Sequence, residues 1–386
     1  MKPFLIVGAG FSGAVLAREL ALHLNRPIIV IDERPHVGGN CHTERDPATN
    51  VLIHKYGPHI FHTDRKEVWD YVHQFDDFGP FVNRVKASIA QGIFSLPVNL
   101  HTINQFFGVR LGPEDARRLL ASKADTSIGE PQNFEEQALK FLGPELYYAF
   151  FHGYTKKQWG CEPRELPASI LKRLPVRFNY DDNYYYSPYQ GIPRTGYTHI
   201  IERILDHPKI TVKLGTRFEE GMVSDHEATF YTGPLDGYFN YRYGRLGYRT
   251  VFWNSSESVG DFQGTALINY PDVKEPHTRI IEHKHFMPWE KHEKTVVFTE
   301  FSKETGPEDV AYYPKRLKAD LDLLARYQEV ARQEAPAQKL FFLGRLATYR
   351  YLDMHQIIGE ALDFSKQFLA WQADPKAGSC PVFSGP

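Results

Sequence analysis

Phe4-Leu5-Ile6-Val7 runs directly into Gly8-Ala9-Gly10-Phe11-Ser12-Gly13. A short apolar run closed by glycine suits a buried parallel strand, and the G-x-G-x-x-G spacing at its end commits the chain to strand, tight turn and helix. The glycines divide the work. Gly8 permits the turn, Gly10 lets backbone approach a pyrophosphate with no Cβ between, and Gly13 lets the helix lie close on the strand. The helix N-terminus then offers N–H groups to the anion. Pro27 closes the helix, and Ile28-Ile29-Val30-Ile31 forms a second strand ending in Asp32, about 20 residues past the last glycine, where a carboxylate accepts ribose hydroxyls and repels a 2′-phosphate. The motif therefore favours an adenosine dinucleotide other than NADP.

At 386 residues the chain predicts two or three domains. Lys+Arg 45 against Asp+Glu 47 leaves a formal net charge of -2. No global field then favours nucleic acid or an anionic membrane, and an anionic substrate must be met by local arginines. Cys41, Cys161 and Cys380 are odd in number and widely spaced, which predicts free thiols in a reducing compartment. The glycine motif at residue 8 leaves no room for a signal peptide, and no apolar run reaches the ~18 residues of a membrane span, so a cytoplasmic, soluble protein is expected.

Beyond Asp32 the βαβ pattern breaks, as insertions into a nucleotide-binding domain would make it. Between about 102 and 159, helix starts are marked by Pro113 with Glu114 and Asp115, by Asn133 with Glu135 and Glu136, and by Gly143-Pro144-Glu145. Apolar residues recur at three and four behind each, which predicts a small helical bundle. From 176 to about 301, β-branched and aromatic runs such as 248–253 and 295–299 predict an antiparallel sheet. Ile210 to Leu214 and Ala228 to Tyr231 read as strands returning to the nucleotide domain, as does the run from Lys339 to Leu343. Helices are predicted over 316–335 and from Asp353 to Trp371. The expected fold class is α/β: a Rossmann-like FAD-binding domain (1–80, 195–245 and 335–371), an inserted helical bundle (98–172) and an antiparallel β-sheet domain (81–97, 173–194 and 246–334). A loose tail over 372–386 is expected from its Pro, Gly and Ser content.

The Asp32-Glu33-Arg34 run with Gly38-Gly39-Asn40 exceeds the needs of NAD and suits the longer diphosphate of FAD. A helix beginning at Asp353 would aim its positive end at a flavin ring and favour its anionic reduced form. Histidines cluster as His54, His59 and His62, and as His283 and His285. The last two would share one face of a strand, yet no third ligand and no thiolate pair accompany them, so packing or a flavin-facing role is favoured and no metal is expected. Arg173 and Arg177, in a loop bounded by prolines, and Arg279 and Arg345 are candidate diphosphate clamps. Phe150, Tyr154, Trp159, Tyr184, Tyr185, Tyr313 and Tyr351 are candidates to stack on a base or line a sugar pocket, although an aromatic at helical spacing, as Phe150 is, is more often a core residue. No serine, cysteine or lysine nucleophile has a matching base, which points to the cofactor as the reactive group.

VGAGFSGAV, IDERPHVGGN, HKYGPHIFHT, GYTKKQWG, LPASILKRLPVRFNYDDNYY, YTGPLDGYF, TRIIEHKHF, AYYPKR and LGRLATYRYLDMHQ together resemble one family, the prokaryotic-type UDP-galactopyranose mutases. The resemblance implies a flavoenzyme that interconverts UDP-galactopyranose and UDP-galactofuranose with no net redox change, reduced FAD serving as nucleophile at the anomeric carbon, in the service of galactofuranose-containing cell-surface glycans. By motif position, Arg173 would be a mobile-loop arginine and Arg279 a fixed one, both gripping the diphosphate. Trp159, Phe150, Tyr154 and Thr155 would hold the uridine, and Asn83, Tyr184, Asn269, Tyr313 and Tyr351 would complete the pocket. His62 would lie against the isoalloxazine. Gly8, Gly10, Gly13, Asp32, Glu33, Gly38, Gly39, Asn40, His59, Ile60, Arg345, Asp353 and Met354 would hold the rest of FAD. A cellular flavin reductant and a homodimer are implied likewise. Residues 302–311 and the tail depart from the family pattern, so Tyr313 rests on its Tyr-Tyr-Pro triplet. An FAD-dependent amine oxidase or desaturase would share the N-terminal fingerprint but calls for an apolar tunnel in place of paired arginines, and a silent nucleotide-binding module would bind without turnover.

Overall fold

A computed structural model describes residues 1–168, 176–376 and 378–385. The strands Ile210–Lys213, Ile28–Ile31, Phe4–Val7, Ala228–Tyr231 and Leu340–Phe342 lie side by side in that order, every pair parallel. Numbered along the chain they read 3-2-1-4-5, so the direction of strand addition reverses between Phe4–Val7 and Ala228–Tyr231. An open parallel sheet binds its ligand at such a reversal, beyond the carboxyl ends of the strands. Gly8 sits there, with φ of 109° and room for no side chain, since a Cβ would fall 2.0 Å from Thr232 Oγ1.

The Phe11–His23 helix is buried along most of its length. It is sandwiched between the sheet and the helices Met354–Ala373 and Tyr197–Leu205, through Ala14, Leu16, Ala17, Ile200, Ile358 and Phe364. The opposite sheet face is covered by the Lys318–Gln338 helix through Leu324, Tyr327 and Ala331. The expected domain boundary at 334/335 therefore falls inside one continuous helix, because apolar residues on both sides of it pack on the same face.

A second sheet takes the order Tyr313–Pro314, Tyr248–Val259, Lys294–Glu304, Arg279–Glu282, Leu267–Asn269, Val85–Ile89 and Gly92–Leu96. It is antiparallel except where Ile268 and Asn269 pair in parallel with Lys86 and Ala87, the point at which the distant 85–96 hairpin joins. Helices Leu100–Phe107, Pro113–Lys123, Phe134–Leu146 and Gly153–Trp159 lie beside it, with a π-helical stretch over Tyr147–His152. The helix starts follow their local chemistry. Pro113 occupies the first turn, the Asn133 side chain accepts from Glu136 N at 3.0 Å, and Gly143, at φ 77°, breaks the helix before Pro144.

Two expectations are corrected. His283–Phe286 is a 3-10 turn following the Arg279–Glu282 strand, so His283 and His285 do not share a strand face. Among the described residues of the tail, 382–384 are not loose. Val382 and Ser384 are buried, Phe342 N donates to Val382 O at 2.8 Å, Ser384 N donates to Phe342 O at 2.9 Å, and Phe383 stacks on Phe342 at 5.3 Å. Leu340–Phe342 is an edge strand whose open N–H and C=O groups take up any segment within reach, whatever that segment's composition.

Candidate active site

The glycine turns after the first two strands meet. Gly39 has φ 54° and a Cβ on it would lie 3.3 Å from Gly10 Cα, so the two loops touch backbone to backbone. The Phe11–His23 helix begins at Gly10 with no side-chain cap, leaving its first N–H groups for a ligand. Beside it Arg34 lies over the Tyr56 ring at 4.5 Å and donates to Asn40 Oδ1 at 2.9 Å. Its buried Nη1 has no partner among the described residues. Asp32 does more than wait for a ribose: Oδ2 accepts from Ala9 N at 2.8 Å and Oδ1 from Arg34 N at 2.9 Å, tying the two turns together. Each oxygen keeps a second lone pair. Glu33 beside it is exposed. An uncapped helix, a backbone cradle and a buried unpartnered guanidinium N–H suit a diphosphate, so these residues fit the FAD that the motif suggested.

Strand register assembles the second part. Asn269 stands opposite Arg279, and Arg279 opposite Glu300, so the three form a row on one sheet face. Arg279 Nη2 donates to Glu300 Oε2 at 2.7 Å. Glu300 is fully buried and also accepts from Thr278 Oγ1 at 2.9 Å. Burial works against the Arg279 charge, and Glu300, Tyr154 and Tyr313 outweigh it, so its pKa stands above the ordinary value. Arg279 Nε is buried with no partner among the described residues, as is Asn83 Oδ1. Unmet donors and acceptors of this kind are what a buried polar ligand satisfies.

Around this row the half-buried tyrosines converge. Tyr313 and Tyr351 stack at 5.4 Å and 13°, and Trp159 reaches Tyr351 at 6.3 Å. Arg345 is placed under both, 5.7 Å from the Tyr313 ring and 5.8 Å from that of Tyr351. Its guanidinium donates to Leu352 O at 2.7 Å and Tyr312 O at 3.3 Å, so it locks the two tyrosine segments together. Tyr154 has its phenol pKa raised by burial, with Arg279 opposing and Glu300 assisting, and Thr155 beside it is buried. Tyr184 meets Tyr185 at 5.2 Å, and its N–H donates to Asn83 O at 2.8 Å. Tyr185 stacks on His62 at 3.7 Å. His62 shares a hydrogen bond of 3.0 Å with Ser187 Oγ and meets His355 at 4.7 Å. Asp353 caps the Met354–Ala373 helix in a capping box with Gln356, next to buried Met354, and its charge acts on His59.

Not every candidate lands in this pocket. Arg173 lies outside the described residues. Phe150 packs on Phe94 at 5.4 Å and Phe106 at 5.6 Å in the core beneath the helices. Arg177 is buried, bonded to Asp181 Oδ2 at 3.0 Å, and lies over Tyr186 at 3.9 Å, which holds its own loop together. His285 sits 3.2 Å from Glu282, whose carboxylate also accepts from Phe262 N and Gln263 N at 2.9 and 2.8 Å. Glu300 was missed by sequence reasoning, although a lone glutamate in the apolar run 295–301 was the signal.

His54 and His283 are buried and His59 is half-buried, and burial is the first cause of a lowered pKa in each. His59 falls to about 4, with Arg345 and Arg279 adding to the effect against the Gly57 carbonyl; His283 falls to about 3; His54 is lowered by burial and then by His283 and His59. The folded chain keeps all three neutral where the unfolded chain protonates them near pH 6.5. Unfolding therefore takes up protons below that pH, and stability falls as pH drops from about 6.5 towards 4, by as much as ~4 kcal/mol per pH unit for three groups. Urea midpoints of the holoprotein between pH 7.5 and 5 measure this, and a flat profile would contradict it.

Residues 149–351 match the family model described as UDP-galactopyranose mutase, and residues 6–75 match that of an NAD(P)-binding Rossmann-like domain. A Klebsiella pneumoniae protein described as a probable UDP-galactopyranose mutase is 52% identical over 385 residues, covering 100% of this chain and 99% of its own length. An Escherichia coli dTDP-fucopyranose mutase is 47% identical over 376 residues, 96% and 99% of the two chains. The crystal structure of a reduced UDP-galactopyranose mutase shares the fold with a TM-score of 0.73 at 16% identity, covering 99% of this chain and 98% of the other.

Proposed function

From the membership of this chain in the UDP-galactopyranose mutase family, a family of isomerases, we infer that it interconverts UDP-α-D-galactopyranose and UDP-α-D-galactofuranose with reduced FAD. The observation that carries the reading is the Asn269–Arg279–Glu300 row, whose arginine is close enough to Tyr154 and Tyr313 to feel their charge, with Tyr351 stacked on Tyr313 and Trp159 beyond it. A fixed guanidinium beside stacked aromatic rings suits a diphosphate joined to a base and a sugar. Bound in its reduced form, the flavin would supply the nucleophile for the anomeric carbon, allowing the sugar ring to open and reclose without net redox change.

The chain's own residues do the rest. Gly8, Gly10, Gly13, Gly38, Gly39, Asn40 and Arg34 seat the FAD diphosphate, and Asp32 with Glu33 faces its ribose. His59, Ile60, His62, Asp353 and Met354 would border the flavin ring, and the helix behind Asp353 would favour the anionic reduced form. Arg279, oriented by Glu300, binds the UDP diphosphate and stabilises the charge that grows as the nucleotide leaves. Trp159, Tyr154 and Thr155 contact the uridine side, with Phe150 packed in the core behind them, while Asn83, Tyr184, Asn269, Tyr313 and Tyr351 contact the sugar. Arg173 would, by its motif alone, be the second arginine for the diphosphate. A homodimer, a cytoplasmic site of action, a cellular reductant and a role in galactofuranose-containing surface glycans belong to the same reading. No helix among the described residues is long and apolar enough to cross a membrane.

The 47% identical relative named for dTDP-fucopyranose favours a second substrate pair on the same scaffold. Competition assays with the reduced holoenzyme decide between them. We expect kcat/KM for UDP-galactofuranose to exceed that for dTDP-fucofuranose; the reverse order would transfer the assignment to the deoxysugar.

A further inference from the structure

The Gly153–Trp159 helix carries two stripes of residues four apart, which on a helix point to separate neighbours. Thr155 and Trp159 form the stripe on the nucleotide side. Gly153 and Lys157 form the other, and it meets residues 270–277, the loop joining Asn269 to Arg279. A Cβ on Gly153 would lie 2.1 Å from Pro271 O, so helix and loop backbones are in contact there. One turn on, Lys157 Nζ lies within hydrogen-bond distance of four carbonyl oxygens of the same loop, Tyr270 at 2.6 Å and Asp272, Glu275 and His277 each at 2.8 Å, so its three N–H groups are shared among them. These carbonyls point inward to one ammonium instead of to a neighbouring strand. The helix is fixed at its far end as well, because Arg249 donates to Gln158 O at 2.9 Å and Lys157 O at 3.2 Å, and Ser302 Oγ donates to Gln158 O at 2.8 Å.

We propose that Lys157 is a positioning residue, which by gathering the 270–277 carbonyls onto the helix fixes the separation between Trp159 on one side of the pocket and Asn269 and Arg279 on the other. The proposal rests on the reading of that pocket as the nucleotide-sugar site. Lys157 is turned towards the loop and acts on the ligand only through the groups it places. Burial lowers its pKa to about 8 against the pull of Asp272 and Glu275, so it stays mostly charged at neutral pH.

Two substitutions disturb this contact in opposite ways. Lys157→Met removes the ammonium and lets the loop drift out, and Gly153→Ala inserts a methyl that pushes it out. Each should weaken UDP binding to the holoenzyme about tenfold, because Trp159 and Arg279 no longer stand at the separation that one nucleotide spans. KM for the sugar nucleotide should rise in step, with flavin content unchanged and kcat within about threefold of wild type. Should Lys157→Met fail to fold, Lys157→Gln, which keeps two donors, should give a smaller loss of UDP affinity. Unchanged UDP affinity in the folded variants, or a fall in kcat with KM unmoved, would overturn the proposal. The titration uses UDP alone, so a failure of the mutase reading shows in wild-type turnover and a failure of this inference in the variants' UDP affinity.

Discussion

Arg279→Met should lower kcat/KM by about 10²–10³-fold, the cost of removing one preorganised donor to developing charge. It should also destabilise the fold by roughly 3–5 kcal/mol, because Glu300 is left as a buried carboxylate with no counter-charge. Both effects trace to one observation: Arg279 is bonded at 2.7 Å to a glutamate with no exposed surface. They are separable. Adding Glu300→Leu to Arg279→Met removes the stranded charge and should recover most of the stability while turnover stays lost. Arg279→Lys keeps the charge but not the planar fork and should fall between. Urea denaturation beside steady-state kinetics of the three proteins tests this. A single variant as stable as wild type would mean that the ion pair is not closed off from solvent.

The second large effect concerns the flavin. Gly10→Ala should leave a folded protein that no longer retains FAD, whereas Gly13→Ala should damage the fold itself. A Cβ on Gly10 meets nothing nearer than Gly39 Cα at 3.7 Å, while one on Gly13 lies 2.0 Å from Gly8 O and 3.0 Å from Ile6 Cγ2. Gly10 also has extended φ and ψ of -85° and -173°, which alanine adopts without strain. Its added methyl occupies only the space reserved for phosphate. The Gly13 methyl must lift a buried helix off its strand, an overpacking cost of about 1–3 kcal/mol or more. Flavin-to-protein absorbance ratio and thermal midpoint of each purified variant give the answer. A yellow Gly10→Ala protein would place the diphosphate elsewhere.

Local chemistry made the first of these sites readable. The strand and turn residues from Phe4 to Asp32, the helix starts at Pro113 and Asn133, and the strand at Ala228 are specified by neighbours within a few residues, and the structure has them where the pattern places them. Trp159 and Tyr351 are marked by their motifs and Tyr313 by its Tyr-Tyr-Pro triplet, and the structure brings Tyr351 within 6.3 Å of Trp159 and 5.4 Å of Tyr313. What escaped is set by contacts between distant segments. Glu300 becomes the partner of Arg279 only through strand register. Lys157 looks like any surface lysine until the 270–277 loop folds over it. Asp32 was read as a ribose ligand, and its part in joining two turns depends on the approach of Ala9 N. The tail has loop composition, yet it docks because an edge strand lies within its reach.

The most direct test of the proposed activity is product analysis. Purified holoprotein, reduced with dithionite under anaerobic conditions, is given UDP-galactofuranose beside an oxidised control, and the sugar nucleotides are separated by HPLC. The account predicts UDP-galactopyranose from the reduced sample alone, with the flavin still reduced at the end. Unchanged UDP-galactofuranose in both samples, or conversion by the oxidised enzyme at the same rate, would contradict it.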